Sequence, residues 1–110
     1  VKDTVCGILD IFNSDALVGE VTNIGSNEEI SMADLARLIG KLMGESVEIV
    51  HDPERVRPGT SEVERLRCDN TKLLKNTSWN PAYDLEKGLL ETINWMRENL
   101  ACYKSEVYNV

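Results

Sequence analysis

Apolar residues in this chain recur at helical spacing in three stretches, and elsewhere they come in short β-branched runs. Val1, Val5, Ile8, Leu9 and Phe12 share one face of a helix expected over roughly residues 3–13. Asp3 is placed to cap it, and Asn13-Ser14-Asp15 to end it. The clearest stripe is Leu35, Leu38, Ile39, Leu42 and Met43. Ser31 suits its N-cap, Asp34 its first turn, Ile30 a staple against Leu35, and Gly44 a left-handed stop. Gly40 lies inside that helix, where glycine costs about 1 kcal/mol relative to alanine, so a close neighbour is expected to pack there. Leu85, Leu89, Ile93, Met96 and Leu100 mark the third helix, over residues 85–99, with Asp84 as its cap.

Between these helices, Glu20 to Ile24 reads as a strand ending at the Gly25-Ser26-Asn27 turn. Residues 46–51 alternate like a half-buried strand, and Leu66 to Cys68 form a short third strand. Asp69 or Asn70 is placed to cap a short helix through Leu73 and Leu74, and Trp79-Asn80-Pro81 forms a turn with an aromatic anchor. Helices alternating with so few strands give an α/β or α+β order with a small or incomplete sheet.

The segment from Arg57 to Asp69 crowds charge between helices that bury apolar faces. Arg55, Arg57, Arg65 and Arg67 stand out because the 110-residue chain carries a net charge of -7. Guanidinium forks match phosphate oxygens in pairs, so one reading is a site for a small anionic ligand. The other is a solvated loop whose arginines are offset by Glu54, Glu62 and Glu64. The acidic balance argues against nucleic acid as a partner. No apolar run approaches the roughly 20 residues that span a bilayer, so no membrane partner is expected. Cys6, Cys68 and Cys102 are odd in number and widely spaced, which fits reduced thiols in the cytoplasm better than disulfides or a metal site. The first residue is Val1 rather than Met, and the chain is read as a piece of something longer.

A set of short motifs in order carries a resemblance over nearly the whole chain. They are Val1-Lys2-Asp3-Thr4, Asn23-Ile24-Gly25-Ser26, Ser31 with Leu35-Ala36, Arg57-Pro58, Asp69-Asn70-Thr71-Lys72, Trp79-Asn80-Pro81 and Leu85-Glu86-Lys87-Gly88-Leu89. Together they resemble the C-terminal third of an extended short-chain dehydrogenase/reductase of the NAD-dependent sugar-nucleotide epimerase/dehydratase group. The resemblance implies an α/β fold that is the C-terminal portion of a Rossmann-type enzyme. Residues 1–25 would be the last helix–strand unit of the Rossmann domain, residues 26–100 a small α+β substrate-binding domain, and residues 101–110 a tail.

By the same resemblance Arg57 contacts the substrate diphosphate and Glu62 the nucleoside. Arg65 is either a second phosphate contact or an ion-pair partner of Glu62 and Glu64. Asp69 caps the short helix, and Trp79 is a core anchor. Family enzymes hold NAD on a Gly-rich loop and use a Tyr-x-x-x-Lys pair. The chain is expected to lack both, and so to bind a nucleotide-diphosphate sugar without catalysing hydride transfer alone. NAD then belongs to the full-length parent, and no metal or catalytic residue is assigned here. The alternative is a free-standing module that binds a nucleotide diphosphate or a protein. An orphaned first unit would expose apolar surface and an open sheet edge, so a homodimer is expected. Thr77-Ser78 stands where relatives carry Leu-Gly, and Asn76 where an apolar residue is usual, which is expected to loosen the turn before Trp79.

Overall fold

The computed structural model describes residues 1–50 and 65–103. Four helices order them: α1 (Lys2–Phe12), α2 (Met32–Met43), α3 (Thr71–Asn76) and α4 (Leu85–Glu98), with single 3₁₀ turns at Asp15–Leu17 and Leu100–Cys102. α2 begins as the sequence predicts. Ser31 Oγ accepts from Asp34 N–H at 3.1 Å, and Gly44 closes the helix at φ 77°. α4 follows its pattern equally well, with Asp84 accepting from Lys87 N–H at 2.7 Å. α2 and α4 pack against each other. The neighbour expected at Gly40 is Val47, whose Cγ2 would lie 2.4 Å from a Cβ built on the glycine.

The predicted strands do not form a ladder. No described residue is in a paired strand, neither Glu20 to Ile24, nor residues 46–50, nor Leu66 to Cys68; His51 lies outside the described residues. A strand exists only when a neighbour takes its backbone groups. Here side chains take them. Lys72 Nζ donates to Val21 O at 2.9 Å, and Asn70 Nδ2 to Gly25 O at 2.7 Å. Thr22 Oγ1 is buried and has no hydrogen-bond partner among the described residues.

The buried core is thin: Leu17, Leu73, Trp79 and Ile93 are its apolar members among the described residues. Trp79 confirms its role as an anchor, and its Nε1–H donates to Asp3 O at 2.9 Å. Gly7 permits this approach, because a Cβ there would sit 3.0 Å from Ile24 Cγ2 and 3.2 Å from Trp79 Nε1.

Asp3 does not cap α1. The N-cap is Val1, without a side-chain bond, and Asp3 instead reaches the start of the last helix. Its two carboxylate oxygens accept from Ala82 N–H and Tyr83 N–H, both at 3.1 Å. The non-local bonds win because they satisfy backbone donors that no helix turn supplies.

The turn before Trp79 is not loosened by its departures from the family. Thr77 Oγ1 donates to Leu73 O at 2.8 Å and accepts from Trp79 N–H at 3.2 Å. Asn76 Nδ2 donates to Lys72 O at 2.7 Å. These side chains serve carbonyls that the end of α3 leaves open.

Candidate functional site

Arg57 and Glu62 lie outside the described residues; Arg65 lies within them. Its guanidinium forks onto Glu29. Nε donates to Glu29 Oε2 at 3.1 Å, and Nη2 pairs with Oε1. The carboxylate raises the Arg65 pKa above its ordinary value. Arg65 is therefore an ion-pair partner, and the partner found is Glu29.

Arg67 reaches across the same way and meets a different group. Its Nε–H donates to Asn27 O at 3.1 Å and to Asn27 Oδ1 at 2.9 Å. Asn27 adopts φ 60°, a left-handed conformation that asparagine tolerates better than most residues. Alternation along the chain was the available signal, since residues two apart in an extended segment share a side. What each arginine meets is not local information.

Arg67 lines a groove of about 740 Å³. Thr22, Asn23 and Ser26 line one wall and Leu66, Arg67 and Cys68 the other. The walls touch at Gly25. A Cβ there would lie 2.7 Å from Cys68 Cβ and 2.8 Å from its Sγ, so only glycine fits without a shift. Asn70, one of the few buried polar residues, fixes this contact through its bond to Gly25 O. Asp69 accepts from Thr71 N–H at 2.9 Å, a local bond that starts α3. Hydrogen bonds from Thr71, through side chain and then backbone, hold the Asp69 carboxyl below its ordinary pKa, with smaller help from Arg67 and Lys75. Lys72 clasps Glu20 Oε2 at 2.7 Å, which lowers the Glu20 pKa.

The expectation that the chain lacks a Tyr-x-x-x-Lys pair needs correction: Tyr83 and Lys87 stand four residues apart. Their geometry is that of a brace. Lys87 Nζ lies 4.3 Å from the centre of the Tyr83 ring and donates to Ala82 O at 2.9 Å. The Tyr83 hydroxyl donates to Glu91 Oε1 at 3.0 Å and accepts from Lys2 Nζ at 3.1 Å. Lys2 also bonds Glu91 Oε2 at 2.7 Å, so the cluster ties α1 to α4 beside a cleft of about 180 Å³. Glu91 raises the Lys2 pKa, and Lys2 lowers that of Glu91.

NAD does not fit the described residues. Its pyrophosphate needs backbone N–H groups freed by a Gly-rich turn at a helix N-terminus. α1, α2 and α4 instead carry Asp3, Asp34 and Glu86 in their first turns. Among the described residues no cluster of metal-ligating side chains occurs. Cys6, Cys68 and Cys102 are free thiols. No described helix is long and apolar enough to cross a membrane.

A scan against protein-family models finds no match. Whole-sequence comparison does find relatives. The chain is 43% identical over 82 residues to a UDP-N-acetyl-alpha-D-glucosaminuronate decarboxylase of Bacillus cytotoxicus, covering 73% of the chain and 26% of the relative. It is 32% identical over 106 residues to UDP-glucuronic acid decarboxylase 1 of Xenopus tropicalis, covering 91% of the chain and 22% of the relative. It is 31% identical over 100 residues to a dTDP-glucose 4,6-dehydratase of Streptomyces niveus, covering 90% of the chain and 29% of the relative. The chain thus spans about a quarter of the length of the curated relatives it matches. Such relatives suggest an α/β fold, and the described residues contribute its helices. The chain belongs to the extended short-chain dehydrogenase/reductase family, in its sugar-nucleotide epimerase/dehydratase group.

Proposed function

We propose that this chain is the C-terminal, substrate-binding portion of an NAD-dependent sugar-nucleotide enzyme and is catalytically incomplete by itself. The observation that carries the reading is the agreement among its relatives. Their names differ in base, sugar and reaction, yet each specifies a sugar carried on UDP or dTDP. What such proteins share is a diphosphate, and binding it asks for fixed cations. Arg57 is the first of these, since a guanidinium stays charged and engages two oxygens at once. Glu62 then holds the nucleoside, where a carboxylate accepts from sugar hydroxyls. Arg65, next in sequence to the groove residue Leu66, is held by Glu29. Hydride chemistry is supplied by NAD in the full-length parent; this chain binds and orients the sugar nucleotide. The parent works in the cytoplasm. A homodimer covers the apolar face of α1, where Val5 is 50% and Phe12 84% exposed. The free-standing binding module is the weaker reading, because each of these relatives is named as an enzyme.

Thermal shift with UDP, dTDP and GDP tests the proposal. A ligand that binds only the folded state stabilises it by RT ln(1 + [L]/Kd), about 2.7 kcal/mol at a hundredfold excess over Kd, and so raises the melting temperature. The expected result is stabilisation by one or more of these nucleotides and its loss in Arg57→Ala. No shift at millimolar concentration of any of them overturns binding by this chain.

A further inference from the structure

Arg67, which lines the groove, and its neighbour Arg65 differ in what they leave unsatisfied among the described residues. Arg65 spends its fork on a carboxylate, and its charge is neutralised by Glu29. Arg67 spends only Nε, on the neutral carbonyl and amide oxygens of Asn27. Its two Nη groups make no hydrogen bond among the described residues, and its charge keeps no carboxylate at ion-pair distance there. The bifurcated hydrogen bond from Nε–H to Asn27 orients the guanidinium, so less freedom remains to be lost when a ligand arrives. The groove that Arg67 lines has room for a diphosphate, and the neutral polar residues Asn23 and Ser26 line it too. Among the described residues, Glu28 is an acidic member of the groove lining, and Asp69, which is bonded to Thr71, feels the Arg67 charge.

The geometry points to Arg67 as a second phosphate-binding residue of this groove, separate from Arg57, that takes a diphosphate oxygen on its outer Nη edge. This rests on the proposal that the chain binds a sugar nucleotide, and it adds a contact which that proposal does not contain. Arg65, already forked onto Glu29, has fewer donors to offer for such a contact.

Calorimetric titration of the full chain at low ionic strength, with inorganic pyrophosphate and with UDP as probes, separates the two ideas. A charged hydrogen bond to phosphate is worth about 10- to 100-fold in affinity. Arg67→Ala is expected to weaken both probes by about tenfold or more, and Arg65→Ala by much less. Arg67→Lys, which keeps the charge and loses the Asn27 anchor, is expected to fall between. Circular dichroism of each variant verifies the helices; should Arg67→Ala lose them, Arg67→Lys alone decides. Unchanged UDP affinity in the folded Arg67 variant overturns the assignment while leaving nucleotide binding intact. Pyrophosphate binding that depends on Arg67, with no preference for UDP, supports the phosphate site and removes the nucleotide reading. No binding of either probe at millimolar concentration overturns the site.

Discussion

α1 and α4 look alike in sequence and end differently in the structure. Both carry an apolar stripe at helical spacing and a polar opposite face. α4 packs on α2 and buries Ile93. α1 buries only Gly7, and Val1, Val5, Ile8, Leu9 and Phe12 remain exposed. The side of α1 that does make contact is the one carrying small and polar groups: Gly7 against Trp79, Asp3 on the Ala82–Tyr83 backbone, Lys2 on Glu91. A periodic stripe therefore says that a helix has something to cover, and nothing about what covers it. Burying a Leu, Ile or Phe side chain is worth about 1.5–3 kcal/mol, so the bare stripe of α1 is a standing drive toward association.

Mutations can break this contrast, beginning where burial is complete. Leu73, on α3, is 0% exposed. Leu73→Ala is expected to cost about 2–5 kcal/mol, because the cavity adds to the lost transfer energy. With so thin a core, that change should abolish cooperative unfolding in urea. A melt as sharp as the parent's would mean the core lies elsewhere. Next comes the cap of α4, where Asp84→Ala removes the acceptor for Lys87 N–H and is expected to cost about 1 kcal/mol. Chemical denaturation read by circular dichroism measures it directly. The smallest effect on monomer stability belongs to α1. Phe12→Glu lies on the exposed stripe, and surface changes of this kind usually stay within about 0.5 kcal/mol. The same substitution is expected to shift light scattering from dimer toward monomer. A parent chain that stays monomeric across a wide concentration range would remove the idea that a second copy covers α1.

The groove teaches a related lesson. Arg65 and Arg67 are two positions apart and equivalent by composition, yet one is neutralised by Glu29 and the other is held by Asn27. The ion pair that Arg65 makes depends on a residue 36 positions away. The same holds for Tyr83 and Lys87, whose spacing matches a catalytic pair and whose partners, Lys2 and Glu91, make them a brace.

The sequence by itself determined the helices and, for α2 and α4, their caps, because those depend on neighbours within a turn. Ser31, Gly44 and Asp84 occupy the cap positions their chemistry suits, and Gly40 marks the approach of Val47. It also determined the family, which relatives matched over most of the chain bear out. Only the tertiary structure decided that the predicted strands find no ladder partner among the described residues, that Asp3 serves a turn some eighty residues on rather than its own helix, and that Arg67 keeps donors to spare among those residues. Each of these turns on which backbone or side-chain group is nearest in space. A buried donor or acceptor takes the partner it can reach, and reach between distant segments is set by packing rather than by pattern.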